Sequence, residues 1–233
     1  MSALRSLDQL LAERTIWRGQ PMHVPTQTGY ATGLDALDRV LPHGGWPPSA
    51  LSEILIPADG VGELTLLWPV LAHLTSQGGR VAIVAPPYIA YAPAWHAAGV
   101  MLSALDVIRC DAKQAFWAAE QCLRSGACAA VLCWPWHADD RKLRRLQVAA
   151  ETGQTLGFAF RPYTAAANPS PAALRIVVDA APRQLRVLKC RGAMAPPQPV
   201  FLSRAQNQER PLQSWRTASP AAQEKRNNVS CVL

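Results

Sequence analysis

Residues 105–134, LDVIRCDAKQAFWAAEQCLRSGACAAVLCW, hold a complete strand–helix–strand unit. Leu105 to Cys110 is a β-rich run, and Asp111 is a helix cap whose carboxylate can accept the orphan amides of a first turn. The helix runs to Gly126, where a residue free to adopt positive φ ends it. Cys128 to Trp134 is a second apolar strand. Two strands joined through a helix of more than ten residues form a right-handed crossover and lie parallel.

The same alternation continues on both sides. Upstream, Leu51 to Pro57 reads as a strand, about Gly62 to Gln77 as a helix stopped by Gly78-Gly79, and Arg80 to Ala85 as a buried strand cut off by Pro86-Pro87. Ala92 to Gly99 is a helix. Downstream, Asp139 to Gly153 is a helix and Thr155 to Phe160 a strand. Before them all, Thr32 to Asp38 opens a short helix that Pro42 and Gly44-Gly45 end. The fold class is therefore α/β, a mostly parallel sheet covered by helices.

The pattern changes after Arg161. Pro162 to Pro171 is a loop without periodicity. Leu174 to Asp179 and Gln184 to Cys190 are two strands whose four-residue connection allows only an antiparallel hairpin. Beyond Pro196-Pro197 the chain turns polar, and from about Gln206 its composition is that of a disordered tail. The expected organisation is an N-terminal helix and linker over 1–29, with Leu4, Leu7, Leu10 and Leu11 on one helical face, a core over 30–202 and a basic tail over 203–233.

Charge is distributed unevenly. The net charge is +7, yet residues 1–161 are neutral, with 13 basic and 13 acidic side chains; all of the excess lies in 162–233. That asymmetry suggests nucleic acid or an acidic protein as partner. No stretch approaches the roughly 18 apolar residues that span a bilayer, and no signal peptide is evident, so the expectation is a cytoplasmic protein without a membrane partner. Six cysteines show neither a CxxC pair nor metal-ligand spacing, and free thiols in a reducing compartment are expected, with no metal.

The turn after the first strand occupies the place of a phosphate-binding loop. Such a loop needs glycines for close backbone approach, a lysine for the β/γ-phosphates and a Ser/Thr hydroxyl for Mg²⁺. Here the frame is Pro57-Ala58-Asp59-Gly60-Val61-Gly62-Glu63-Leu64-Thr65. Glu63 stands at the lysine and Leu64 at the hydroxyl, so a triphosphate meets repulsion and the metal meets a hydrocarbon. Thr65 comes one residue late. Pro86-Pro87 stand where a water-activating glutamate belongs, and Cys133-Trp134-Pro135-Trp136 where a metal-orienting aspartate belongs. The loop is a vestige; no cofactor and no enzymatic activity are expected.

Three surfaces are candidates for binding nucleic acid or a partner. Arg183, Arg186, Lys189 and Arg191 place positive charge on the last hairpin, where they can neutralise phosphates or guard an edge strand. Trp136 follows a strand end, beyond a Trp134 expected to be buried, and is the better placed of the two for stacking or anchoring. In the tail, Leu212 and Trp215 lie among Arg210 and Arg216 and can fold onto a partner.

Several of these stretches resemble known families. Thr32-Gly33-Leu34-Asp35-Ala36-Leu37-Asp38, Gly44-Gly45-Trp46-Pro47 and Ser52-Glu53-Ile54 look like the start of a RecA-like core, a likeness that covers residues 30–202. The loops after Trp134 and Arg161 fall where that fold carries DNA-binding loops. A RecA-like chain of this size without ATPase residues is similar to the ImuA family of translesion-synthesis accessory proteins. Leu51 to Pro162, including Gly153-Gln154-Thr155-Leu156-Gly157-Phe158-Ala159-Phe160-Arg161-Pro162, also resembles the SulA family of SOS cell-division inhibitors. The first resemblance implies an adaptor in DNA-damage-induced mutagenesis. Its partners would be an ImuB-like inactive Y-family polymerase homologue and an error-prone C-family polymerase, with RecA and DNA as further candidates. The second implies an inhibitor that binds the tubulin-like FtsZ. An ATP-dependent RecA-like recombinase is the third reading, and Glu63, Leu64 and Trp134 oppose it.

Overall fold

The strand–helix–strand unit forms as its sequence dictates. In the computed structural model, which describes residues 28–179 and 184–201, β3 spans Leu105–Ile108, α4 Ala112–Ser125 and β4 Cys128–Cys133. The Asp111 carboxylate accepts from the Gln114 amide at 2.8 Å, and Gly126 ends the helix at φ 68°. The other elements are α1 (Asp35–Asp38), β1 (Leu51–Ile56), α2 (Trp68–Ser76), β2 (Arg80–Val84), α3 (Ala92–Ala97), α5 (Asp140–Gly153), β5 (Leu156–Pro162), β6 (Leu174–Asp179), β7 (Gln184–Cys190) and β8 (Val200–Phe201).

They build one eight-stranded sheet in the order β3-β2-β4-β5-β1-β6-β7-β8. The first six strands in chain order pair in parallel, while β6–β7 and β7–β8 are antiparallel. This is the mixed α/β sheet with a C-terminal hairpin that the alternation implied. The β6–β7 register runs from Leu174 opposite Cys190 to Asp179 opposite Gln184.

Strand alternation divides the core into two layers. Ile54, Ile83, Leu132, Phe158 and Ile176 face α2 and α3, with Leu67, Leu71 and Trp95 packed on them. Leu51, Ala82, Val131 and Ala159 face α4 and α5, meeting Leu123, Leu143 and Leu146. Strands covered on both faces read as nearly continuous apolar runs, which is why β1 and β4 are so hydrophobic. On the second layer α4 and α5 converge at their C-terminal ends. A Cβ at Gly153 would lie 1.9 Å from the Leu123 carbonyl oxygen. Gly153→Ala must therefore move backbone, and we expect it to cost about 1–3 kcal/mol, read as a lower urea midpoint with an unchanged slope.

Three local outcomes differ from the sequence reading. The helix expected over Gly62 to Gln77 is split into a 3-10 turn, Glu63–Leu66, and α2, which begins only at Trp68. Pro69 explains the break: it has no amide, and its ring excludes the carbonyl four residues back. The loop after Arg161 contains a 3-10 turn, Tyr163–Ala167. The short β8 closes the far edge, where only a polar segment was expected. The expected helix over 1–14 and the tail from residue 203 lie outside the described residues.

Candidate functional site

Glu63 turns away from solvent and into the loop it was expected to spoil. It is buried, and its Oε1 accepts from the Gly60 amide and from the Tyr88 hydroxyl, each at 3.3 Å. Its Oε2 is buried without a hydrogen-bonding protein group. Burial, and then the charge of Glu63, pushes the Tyr88 hydroxyl well above its ordinary range, so it remains a donor. Desolvation and the same charge raise Asp59. The Thr65 hydroxyl donates to the Gly62 carbonyl at 2.5 Å, and Leu64 packs against the core. Because α2 starts only at Trp68, the glycines are followed by a 3-10 turn and not by the N-terminus of an α-helix. An amide that would hold a phosphate oxygen is already committed to a carboxylate of the chain itself. Pro57, Gly60, Gly62, Glu63, Leu64 and Thr65 thus form a closed turn.

The carboxyl ends of β2, β3 and β4 open instead onto a groove of about 570 Å³. Val84, Val107, Phe116, Cys133, Trp134 and Trp136 are among the residues lining it. Parallel α/β sheets commonly place ligands outside these strand ends. Trp134 is buried, stacks on Phe160 at 5.0 Å and meets Tyr88 edge-on at 5.8 Å. Its Nε1 is buried with no hydrogen-bond partner. Trp136 is half-buried against the core, less exposed than expected. Ala85, before Pro86, has φ 45°, a left-handed conformation that a non-glycine residue adopts at a cost.

A buried ion cluster fixes one wall of this groove. Glu53, fully buried in β1, bonds Arg161 Nη1 of β5 and Arg175 Nε of β6, each at 2.5 Å. Arg161 also donates to the Ala138 carbonyl at 2.6 Å, and Ala138 lines the groove. Arg175 donates to the carbonyls of Asn168 at 3.0 Å and Ala165 at 2.9 Å. One carboxylate therefore ties the loop after β4 to the loop after β5.

The described hairpin cations are already engaged. Arg186 pairs with Asp179 at 2.8 Å and lies over the Tyr163 ring, which lowers the Asp179 carboxyl and raises the guanidinium. Arg191 pairs with Glu151 at 2.9 Å, and Lys189 donates to the Ser170 carbonyl at 2.7 Å. Arg183, Arg210, Leu212, Trp215 and Arg216 lie outside the described residues. On the helix after Asp139, Arg144 approaches Asp140 at 3.8 Å and Arg145 bridges to the buried Glu120. Cys110, Cys122, Cys128, Cys133 and Cys190 are free thiols, and no metal-binding group of side chains occurs among the described residues. No helix among the described residues is long and apolar enough to cross a membrane.

No curated protein matches the chain. The crystal structure of SulA from Pseudomonas aeruginosa is 26% identical, over 49% of this chain and 99% of that chain, with a TM-score of 0.42. The family described as cell division inhibitor SulA matches residues 50–157, from the residue before β1 to the second residue of β5. Through the loop, the groove and all of α4 and α5, the chain is thus similar to the SulA cell-division-inhibitor family, and the segments on either side lie outside that similarity.

Proposed function

We propose that this protein is a non-catalytic binding factor of the DNA-damage (SOS) response that restrains cell division by binding FtsZ in the cytoplasm. The similarity of residues 50–157 to the SulA family supports the inhibitor reading over the others suggested by the sequence. The observation that carries the non-catalytic part is Glu63, seated on the Gly60 amide where a nucleotide phosphate would have to sit. Nucleotide turnover has no comparable support. Overproduction in a bacterial host tests the reading. Cells should filament, and the purified full chain should retain purified FtsZ. Normal division together with no retention would reject it.

A second reading has its own support. The sheet continues past the matched segment into β6, β7 and β8, and the Tyr30–Trp46 bridge precedes it. These flanking parts belong to the RecA-like likeness and favour an ImuA-like adaptor, with an ImuB-like protein and an error-prone C-family polymerase as partners, and RecA or DNA as further ones. Capture of an ImuB-like protein by the full chain, lost on deleting residues 203–233, is the result expected of that role. Failure of capture by the full chain would discard it.

A further inference from the structure

We propose that the groove at the ends of β2, β3 and β4 is the docking site for a partner-protein segment whose apolar side chains are flanked by carboxylates. Its size, about 570 Å³, lies within the roughly 300–1,000 Å³ in which proteins enclose ligand groups. The walls are apolar, and Ile89, 82% exposed, displays a large hydrocarbon to solvent at the rim. Such a surface is costly unless something covers it.

The polar groups on the lining decide the chemistry of that cover. They include Arg109, His137 and Lys142. No aspartate or glutamate lines the groove. Arg109 and Lys142 are exposed, and neither has a carboxylate partner among the described residues. The described hairpin cations, by contrast, are each held by a carboxylate or a carbonyl of the chain itself. Donors and uncommitted cations around a hydrocarbon floor call for acceptors and negative charge around a hydrocarbon ligand.

Other occupants fit less well. A nucleic acid presents a line of phosphates, whereas this lining is mostly hydrocarbon. The chain's own tail over 203–233 carries Arg204, Arg210, Arg216, Lys225 and Arg226 against Glu209 and Glu224, so it would bring like charge to Arg109 and Lys142.

The proposal rests on the partner-binding reading above, and the test separates the two. Random 12-residue peptides are selected on the immobilised full-length protein, and the enriched sequences are synthesised and titrated against it. Enriched peptides should carry apolar residues with adjacent Asp or Glu. Ile89→Asp should weaken them, and so should Arg109→Glu combined with Lys142→Glu, each by about tenfold or more at low salt. All three positions are exposed, so circular dichroism should show an unchanged fold. Peptides without acids, binding indifferent to these substitutions, or selection of no peptide would each overturn the proposal. Filamentation that persists after such a failure would leave FtsZ binding intact through another surface; peptide binding without filamentation would leave the groove intact and remove the division target.

Discussion

Replacing Glu53 with alanine is expected to destabilise this protein by about 3–5 kcal/mol, the cost typical of leaving buried charges uncompensated. Glu53 is fully buried and neutralises two guanidinium groups that are themselves 4% and 8% exposed. Without it, Arg161 and Arg175 repel one another in the middle of the sheet. Urea unfolding followed by tryptophan fluorescence measures the loss. Glu53→Gln should recover only a small part of it, since an amide keeps the shape and one acceptor but not the charge. A loss under about 1 kcal/mol would show that the cluster behaves as a solvated surface pair.

Glu63→Lys gives the second large effect. This change restores the lysine of a phosphate loop, yet here the new ammonium enters a buried position. It would face the Gly60 amide, which can only donate, and the Tyr88 hydroxyl, whose oxygen is a single neutral acceptor. Burying an ammonium there, with one neutral acceptor and only the exposed Asp59 carboxylate in electrostatic range, costs several kcal/mol, about 3 or more, and the side chain escapes only by opening the turn. We expect a lower melting temperature and no binding of a fluorescent ATP analogue. Gain of tight nucleotide binding by this single change would overturn the account of the loop.

The parts of the fold that sequence made legible are those written in local patterns. Asp111 and Gly126 bracket α4, and Asp139 opens α5, because caps are chemistry within three or four residues. The β6–β7 hairpin followed from the shortness of its connection. Pro69 carried the signal for the split helix, but the surrounding apolar run masked it. The Glu53 cluster joins residues 108 and 122 positions apart, and periodicity does not encode such pairings. A signal was present nonetheless. A glutamate inside LSEILI and arginines inside LGFAFRP and LRIVVD are charges in strands buried on both faces, and such charges need partners. The groove was half legible. Trp136 lies at the strand end where the groove opens, but the cations on its lip come from β3's end and α5, which only the sheet order brings together. The charge of the hairpin was easy to count in the sequence, whereas its neutralisation by Asp179 and Glu151 was not.

The Glu53 cluster also bears on how this protein can be cut. Its carboxylate lies within residues 50–157, while Arg161 and Arg175 both follow that stretch. A fragment trimmed to the family-matched boundaries would strand an anion in its interior and expose the flank of β1 that β6 covers. A piece excised at the boundary of similarity is therefore expected to be less stable than one extended through β6.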